Sequence, residues 1–293
     1  MSAPVPTVRV ACIQLPMQTV QSRDAFYAPI EHYVAIAAGY GCDFVLFPEM
    51  MTFPLVTFAG HDPKATVEAL TEEAPGFRDR MSDMARRHGI HVVAGSHLTR
   101  DEGGSVRNVS YLCLNDGTVH AQEKLHPTPD EREVWGVEGG RHLTAVETDH
   151  GPVGTLICYD SEFPELGRRL VDDGARLIFV PYQTDTRAGT MRVRLCSQAR
   201  AIENQCYMAL AGSCGTLRGM ANMDINYARS AVFTPCDLAF PPDGIAVEAE
   251  ANVEQAIFAE LDMDRLERAR REGAVRNLRD RRTDLYASVW RGE

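Results

Sequence analysis

Gly41-Cys-Asp-Phe-Val-Leu-Phe-Pro48 is answered later in the chain by Gly174-Ala-Arg-Leu-Ile-Phe-Val-Pro181, and this pairing decides the fold. In each stretch an apolar run that reads as a strand ends on proline. The likeness extends outward from both copies. Ala94-Gly-Ser96 after a later strand of the first half matches Ala211-Gly-Ser213 in the second, and each half closes on a hairpin with an Asp-Gly turn, Asp116-Gly117 and Asp243-Gly244.

Filling in between these anchors gives strands at Val8–Leu15, Phe44–Phe47, Ile90–Ser96, Val109–Leu114 and Thr118–Glu123, with helices at about Ala25–Gly39 and Phe77–His88. The order then returns: strand Val153–Cys158, helix Glu165–Asp173, strand Leu177–Val180, helix Thr190–Asn204, strand Tyr207–Gly212, and strands near Ala231–Thr234 and Ile245–Glu250. The length, 293 residues, allows one large domain or two modest ones. The repeat favours one: an α/β domain of two sheets sharing a core, each covered outside by its own helices. Two independent domains would need a linker, and Asp149-His-Gly-Pro152 is too short. The expected organisation is a domain over 1–262, with halves at about 7–125 and 152–252, and a C-terminal tail over 263–293. The tail's arginine run, Arg265 to Arg282, reads as a solvated helical face or an oligomer contact.

The formal charge is −11, from 41 acidic against 30 basic side chains, which disfavours a nucleic-acid partner. The opening residues lack a basic-then-apolar leader, and no run approaches a membrane span, so the expected setting is cytoplasmic and the expected partner a small molecule. Eight cysteines are scattered without a Cys-x-x-Cys pair, so neither a zinc site nor a redox pair is indicated. Of the histidines, His88, His91 and His97 lack metal-ligand spacing, and His61, His142 and His150 fall in polar loops.

Three residues stand at strand ends. Cys158 meets a tight strand-to-helix turn, where a thiol is exposed and backbone N–H groups point at an oxygen above it; its bland reading is a core cysteine. Glu49 follows an apolar strand at the edge where open α/β sheets put ligand sites, and burial there suits it to proton transfer; alone, it reads as a solvated glutamate. Lys124 ends the first hairpin, where its ammonium would lower a neighbouring thiol's pKa and donate to an oxyanion; a surface lysine is the commoner fate.

Phe47-Pro-Glu49, Lys-x-His-x-x-x-x-Glu from Lys124 to Glu131, and Gly-x-x-Ile-Cys-Tyr-Asp-x-x-Phe-Pro-Glu from Gly154 to Glu165 together resemble the nitrilase superfamily of carbon–nitrogen hydrolases. The resemblance implies a four-layer αββα sandwich and a Glu49–Lys124–Cys158 triad. It further implies Glu131 as an auxiliary glutamate, with Glu133 as the fallback, and the Tyr159 backbone N–H at the oxyanion. Neither metal nor organic cofactor is implied. The stretches Asn222–Arg229 and Asn277–Tyr286 resemble bacterial members fused to an N-acetyltransferase domain, which this sequence does not contain.

Two departures bear on substrate. Many family members carry arginine where this chain has Glu162, so a carboxylate anchored there is not implied. Cys158 is followed by Tyr159-Asp160 instead of the Trp-Glu of nitrilases, which favours an amide over a nitrile. The expected activity is therefore amidase hydrolysis through a thioester, against the alternatives of an N-carbamoyl hydrolase, a nitrilase, an acyl transferase or a non-hydrolytic binding protein on the same fold. Glu162, Tyr182 and Asp185 are expected at the substrate, in a pocket tolerant of amines or cations unless Arg187, Arg192 and Arg194 neutralise it. The family resemblance also implies a homodimer or larger homo-oligomer.

Overall fold

In the computed structural model, residues 7–59, 62–220 and 223–291 are described; His61 and Asn222 fall outside them. The first half runs β1 (Thr7–Met17), α1 (Arg23–Gly39), β2 (Phe44–Leu46), α2 (Pro63–His88), β3 (His91–Val93), β4 (His97–Arg100), β5 (Val106–Cys113), β6 (Val119–Glu123) and α3 (Pro129–Trp135). The second runs β7 (Val153–Thr155), α4 (Pro164–Asp172), β8 (Leu177–Tyr182), α5 (Arg187–Asn204), β9 (Tyr207–Gly215), β10 (Ala231–Phe233) and β11 (Ile245–Glu248), followed by β12 (Gln255–Asp262) and α6 (Met263–Glu272).

Two sheets result. In one, β1, β2 and β3 are parallel, β12 adds antiparallel to β1, and β5 joins antiparallel between β3, β4 and β6. In the other, β7, β8 and β9 are parallel, with β10 and β11 antiparallel beyond them. The end of β1 pairs with the end of β9, Leu15 to Met17 against Ser213 to Gly215, so the sheets are hydrogen-bonded along one corner.

The side-chain alternation of each strand sorts the core into three apolar layers. Val10, Cys12, Phe44 and Leu46 of the first sheet meet Leu177, Phe179, Tyr207 and Ala209 of the second between the sheets. Alternate residues of the same strands, Ala11, Ile13 and Val45, together with Phe47 just beyond β2, pack outward on α1 and α2. Ile178, Val180, Met208 and Leu210 pack with α4 and α5 residues such as Leu166, Leu170 and Val193. Helix, sheet, sheet, helix is thus the layer order, and the expected αββα sandwich is present.

Five elements differ from the reading of the sequence. Helix α2 begins fourteen residues earlier than Phe77, at Pro63, and continues through Pro75-Gly76 because Thr66, Val67, Leu70, Ala74, Phe77, Met81 and Met84 form one buried stripe on both sides of that break. Strand β4 follows β3 after a turn at Ala94-Gly-Ser96. Strand β7 stops at Thr155, and Cys158 opens a 3₁₀ turn, Cys158–Glu162. Strand β12 pairs with β1 over eight residues, and α6 buries Met263, Leu266 and Ala269 in the inter-sheet layer. Among the described residues, no helix is long and apolar enough to cross a membrane.

Candidate active site

The C-terminal ends of β2, β7 and β8 point to one end of the sandwich, the edge where parallel sheets leave room for ligands. Beyond β2 the chain passes through Phe47-Pro48 to Glu49, then turns sharply: Met50 has φ +52° and donates its N–H to Ser96 Oγ at 3.1 Å. That turn needs Gly95, because a Cβ there would lie 1.9 Å from the Pro48 carbonyl oxygen. Cys158 has φ +49°, a conformation that non-glycine residues adopt at a cost, and the Ser161 hydroxyl braces it by donating to the Cys158 carbonyl at 2.7 Å.

Glu49, Lys124, Glu131 and Cys158 are all buried and converge. Lys124 Nζ lies 2.8 Å from Glu49 Oε1 and 2.5 Å from Glu131 Oε2. Glu49 Oε2 accepts the Gln183 N–H at 2.9 Å, while the Cys158 thiol lies 3.5 Å from the Gln183 carbonyl and within hydrogen-bond reach of Glu49. Glu131 serves twice. It is the N3 residue of a capping box, accepting the Thr128 N–H at 2.8 Å while Thr128 Oγ1 accepts the Glu131 N–H. Glu133, on the same short helix, is exposed and makes none of these contacts.

Burial raises the Glu49 carboxyl above its ordinary value; the Lys124 ammonium opposes this and Glu131 adds to it. Burial alone would lower the Lys124 pKa, but the carboxylates of Glu131 and Glu49 more than reverse it, so the ammonium holds its proton. The Cys158 thiol is pushed well up by burial and by Glu49, with Lys124 opposing. This corrects the expectation of a depressed thiol: the lysine acts in the expected direction, but desolvation outweighs it. The resting group is a neutral thiol beside a carboxylate that can accept its proton.

A cavity of about 500 Å³ opens over these groups, lined also by Met50, Trp135, Tyr159, Glu162, Thr184, Asp185 and Arg192. Of the residues expected at the substrate, Glu162 and Asp185 line this cavity. Arg192 Nε stands 3.6 Å from Glu162 Oε1, whereas Arg194 turns away to Glu248. Tyr182 does not line the cavity. Its ring is fully buried against Gly212 and its hydroxyl accepts the Arg229 N–H at 2.9 Å, so it is a core residue and not a substrate contact.

Three partners of the site were not anticipated. Asn108 is fully buried on β5 and donates to Glu49 at 3.0 Å and Glu131 at 2.8 Å; an amide heading an apolar strand is its only mark in the sequence. Asp160, inside the cysteine motif, accepts the N–H groups of Leu125 and His126 and bonds the His126 ring, tying the lysine loop to the cysteine turn. Gln183 acts through its backbone, which no residue type announces. Away from this site, His91, Asp149 and His150 bring ligand atoms within 4.8 Å of one another, a grouping the spacing had not indicated. His91 Nδ1 there accepts the Asn115 N–H, which leaves Nε2 to carry the proton toward Asp149 at 2.6 Å.

Comparison with known proteins agrees with this architecture. The profile of the carbon-nitrogen hydrolase family matches residues 9–271. A Bacillus subtilis protein named "Probable hydrolase YhcX" is 41% identical over 280 residues, covering 95% of this chain and 54% of its own length; the chain thus spans about half of that relative. The omega-amidase NIT2 of Danio rerio is 26% identical over 288 residues, covering 95% and 96% of the two chains. The crystal structure of a carbon-nitrogen hydrolase from Helicobacter pylori superposes with a TM-score of 0.80 at 19% identity, over 96% and 97% of the two chains, a likeness of fold.

Proposed function

This chain belongs to the carbon-nitrogen hydrolase family, and from that premise we propose that it is a cysteine-dependent amidase acting through a thioester. The observation that carries the reading is the buried cluster of Glu49, Lys124 and Glu131 set against a strained Cys158 on the wall of a cavity. A binding protein has no use for two carboxylates held on one ammonium below a thiol.

Glu49 takes the Cys158 proton as the sulfur attacks the substrate carbonyl carbon, so the thiolate is made at the moment it reacts. Lys124 Nζ and the Tyr159 backbone N–H hold the resulting oxyanion, a kind of contact whose loss costs roughly 3 kcal/mol in the barrier. Glu49 passes its proton to the departing ammonia or amine as the C–N bond breaks. It then takes a proton from water, whose oxygen attacks the thioester, and returns that proton to sulfur as the acid leaves. Glu131 keeps Lys124 charged and placed throughout.

Besides the buried cluster, the cavity lining carries Asp130, Glu162 and Asp185 and, among the described residues, one guanidinium, that of Arg192. Amides that are neutral or cationic beyond the reacting carbonyl are the expected substrates. In a series matched for length, an ammonium-bearing amide should exceed its carboxylate counterpart in kcat/KM by at least tenfold; a preference for the carboxylate would remove this part of the reading.

The direct test is mass spectrometry of the protein after incubation with an amide panel, looking for an acyl adduct on the peptide containing Cys158. Cys158→Ala should retain the fold, form no adduct and lose turnover. Hydrolysis undiminished in that variant would sink the assignment.

A further inference from the structure

Asn108 touches Glu49, Glu131 and Lys124 at once. Its side-chain Nδ2 donates to Glu49 Oε1 at 3.0 Å and to Glu131 Oε1 at 2.8 Å, and its backbone carbonyl accepts the Lys124 backbone N–H at 2.8 Å. The opposite orientation of the amide would set oxygen against two carboxylates, so the two N–H donors must face them. Its own Oδ1 is buried and makes no hydrogen bond among the described residues. What the site gains is the pair of donors.

Two carboxylates sharing one ammonium repel each other, and each benefits from a second donor. With Lys124 and Asn108 both on Glu49 Oε1, the other oxygen, Oε2, accepts the Gln183 N–H and keeps a lone pair for a proton. When Lys124 turns toward an oxyanion, Asn108 is the donor that stays on both glutamates. We propose that Asn108 is a positioning residue that keeps Glu49 ionised and directs its Oε2 to the Cys158 proton. This deepens the amidase reading and rests on it. The groups facing Glu49 are Lys124 at the end of β6, Glu131 on α3, Cys158 in the 3₁₀ turn, the Asn108 amide on β5 and the Gln183 N–H beyond β8.

The test reads the pH dependence of Cys158 alkylation by iodoacetamide, followed by peptide mass spectrometry, beside kcat/KM for a short primary amide. Removing the donors in Asn108→Ala should move the acid limb of both profiles up by about one pH unit, a loss of about tenfold in rate below the limb, with the high-pH plateau largely kept. Asn108→Ser restores one donor and should shift less; Asn108→Asp adds a third carboxylate and should shift more. Should the alanine variant fail to fold by circular dichroism, the serine and aspartate variants are read by the same order. A lowered plateau with an unmoved limb in the folded variants marks a packing role and overturns the proposal. The two readings fail separately: a wild type that hydrolyses no amide defeats the amidase, whereas an active wild type with unshifted variants defeats Asn108 alone.

Discussion

Glu49 is pulled in two directions, and the balance sets its use. Burial and the neighbouring Glu131 push its pKa above the ordinary 4.5, while Lys124 holds it back. If Glu49 must be ionised to take the thiol proton, kcat/KM falls as the pH drops through this raised value, so the acid limb lies above the ordinary glutamate range. Lys124, held above the ordinary 10.5, stays charged and adds no alkaline loss below that pH. Glu49→Gln should cost roughly 10²- to 10⁴-fold in kcat/KM and erase the acid limb, which steady-state rates across pH will check. At this scale residue type and strand-end position single out Glu49, Lys124 and Cys158 in the sequence, and the fold brings these three side chains to one buried place. The sequence was not legible where a residue acts through burial: nothing along the chain marks Asn108 until β5 is known to be covered, and the thiol's raised pKa depends on desolvation that neighbours along the chain do not reveal.

Short elements carry much of the site's precision. Helix α3 has seven residues, too few to persist alone, yet it places Glu131 under Lys124. Its start is fixed by Thr128, whose hydroxyl accepts the Glu131 N–H while Glu131 accepts the Thr128 N–H. Thr128→Ala should therefore lower stability by about 1 kcal/mol and also lower kcat, since the cap and the auxiliary carboxylate are one structure; urea unfolding and steady-state kinetics on the same sample measure both. Thr-Pro-Asp-Glu131 follows the capping pattern, so this element could be placed from sequence once the motif drew attention to it. The first half of α2 could not. Pro63, Pro75 and Gly76 argue for a loop locally, and only the buried stripe shared with Phe77 and Met81 shows why packing prevails.

At the scale of the molecule the duplication accounts for both a success and a failure of reading. Glu49 follows Pro48 in one half as Tyr182 follows Pro181 in the other; the Pro48 carbonyl packs on Gly95 in the first, and the Tyr182 ring on the matching Gly212 in the second. The halves thus share a scaffold while one position ionises over the cavity and its counterpart fills the core, a division that the repeat alone cannot assign. The repeat also made Met263 look like the start of a tail, because α6 has no counterpart in the first half. Yet Leu266 is fully buried with Met263 and Ala269 between the sheets, next to β12, which itself lies on β1. If α6 closes the inter-sheet layer, its loss exposes Val8, Val10 and Leu261 to water, and no surface helix would have that effect. A chain ended after Glu272 should fold and unfold cooperatively, whereas one ended after Asp262 should be recovered unfolded or aggregated. In the full chain Leu266→Ala should cost about 2–5 kcal/mol by urea unfolding, against a few tenths for Arg268→Ala on the exposed face of the same helix. Equal stability of the two truncated chains would return α6 to the status of an appendage and leave the domain ending with β12.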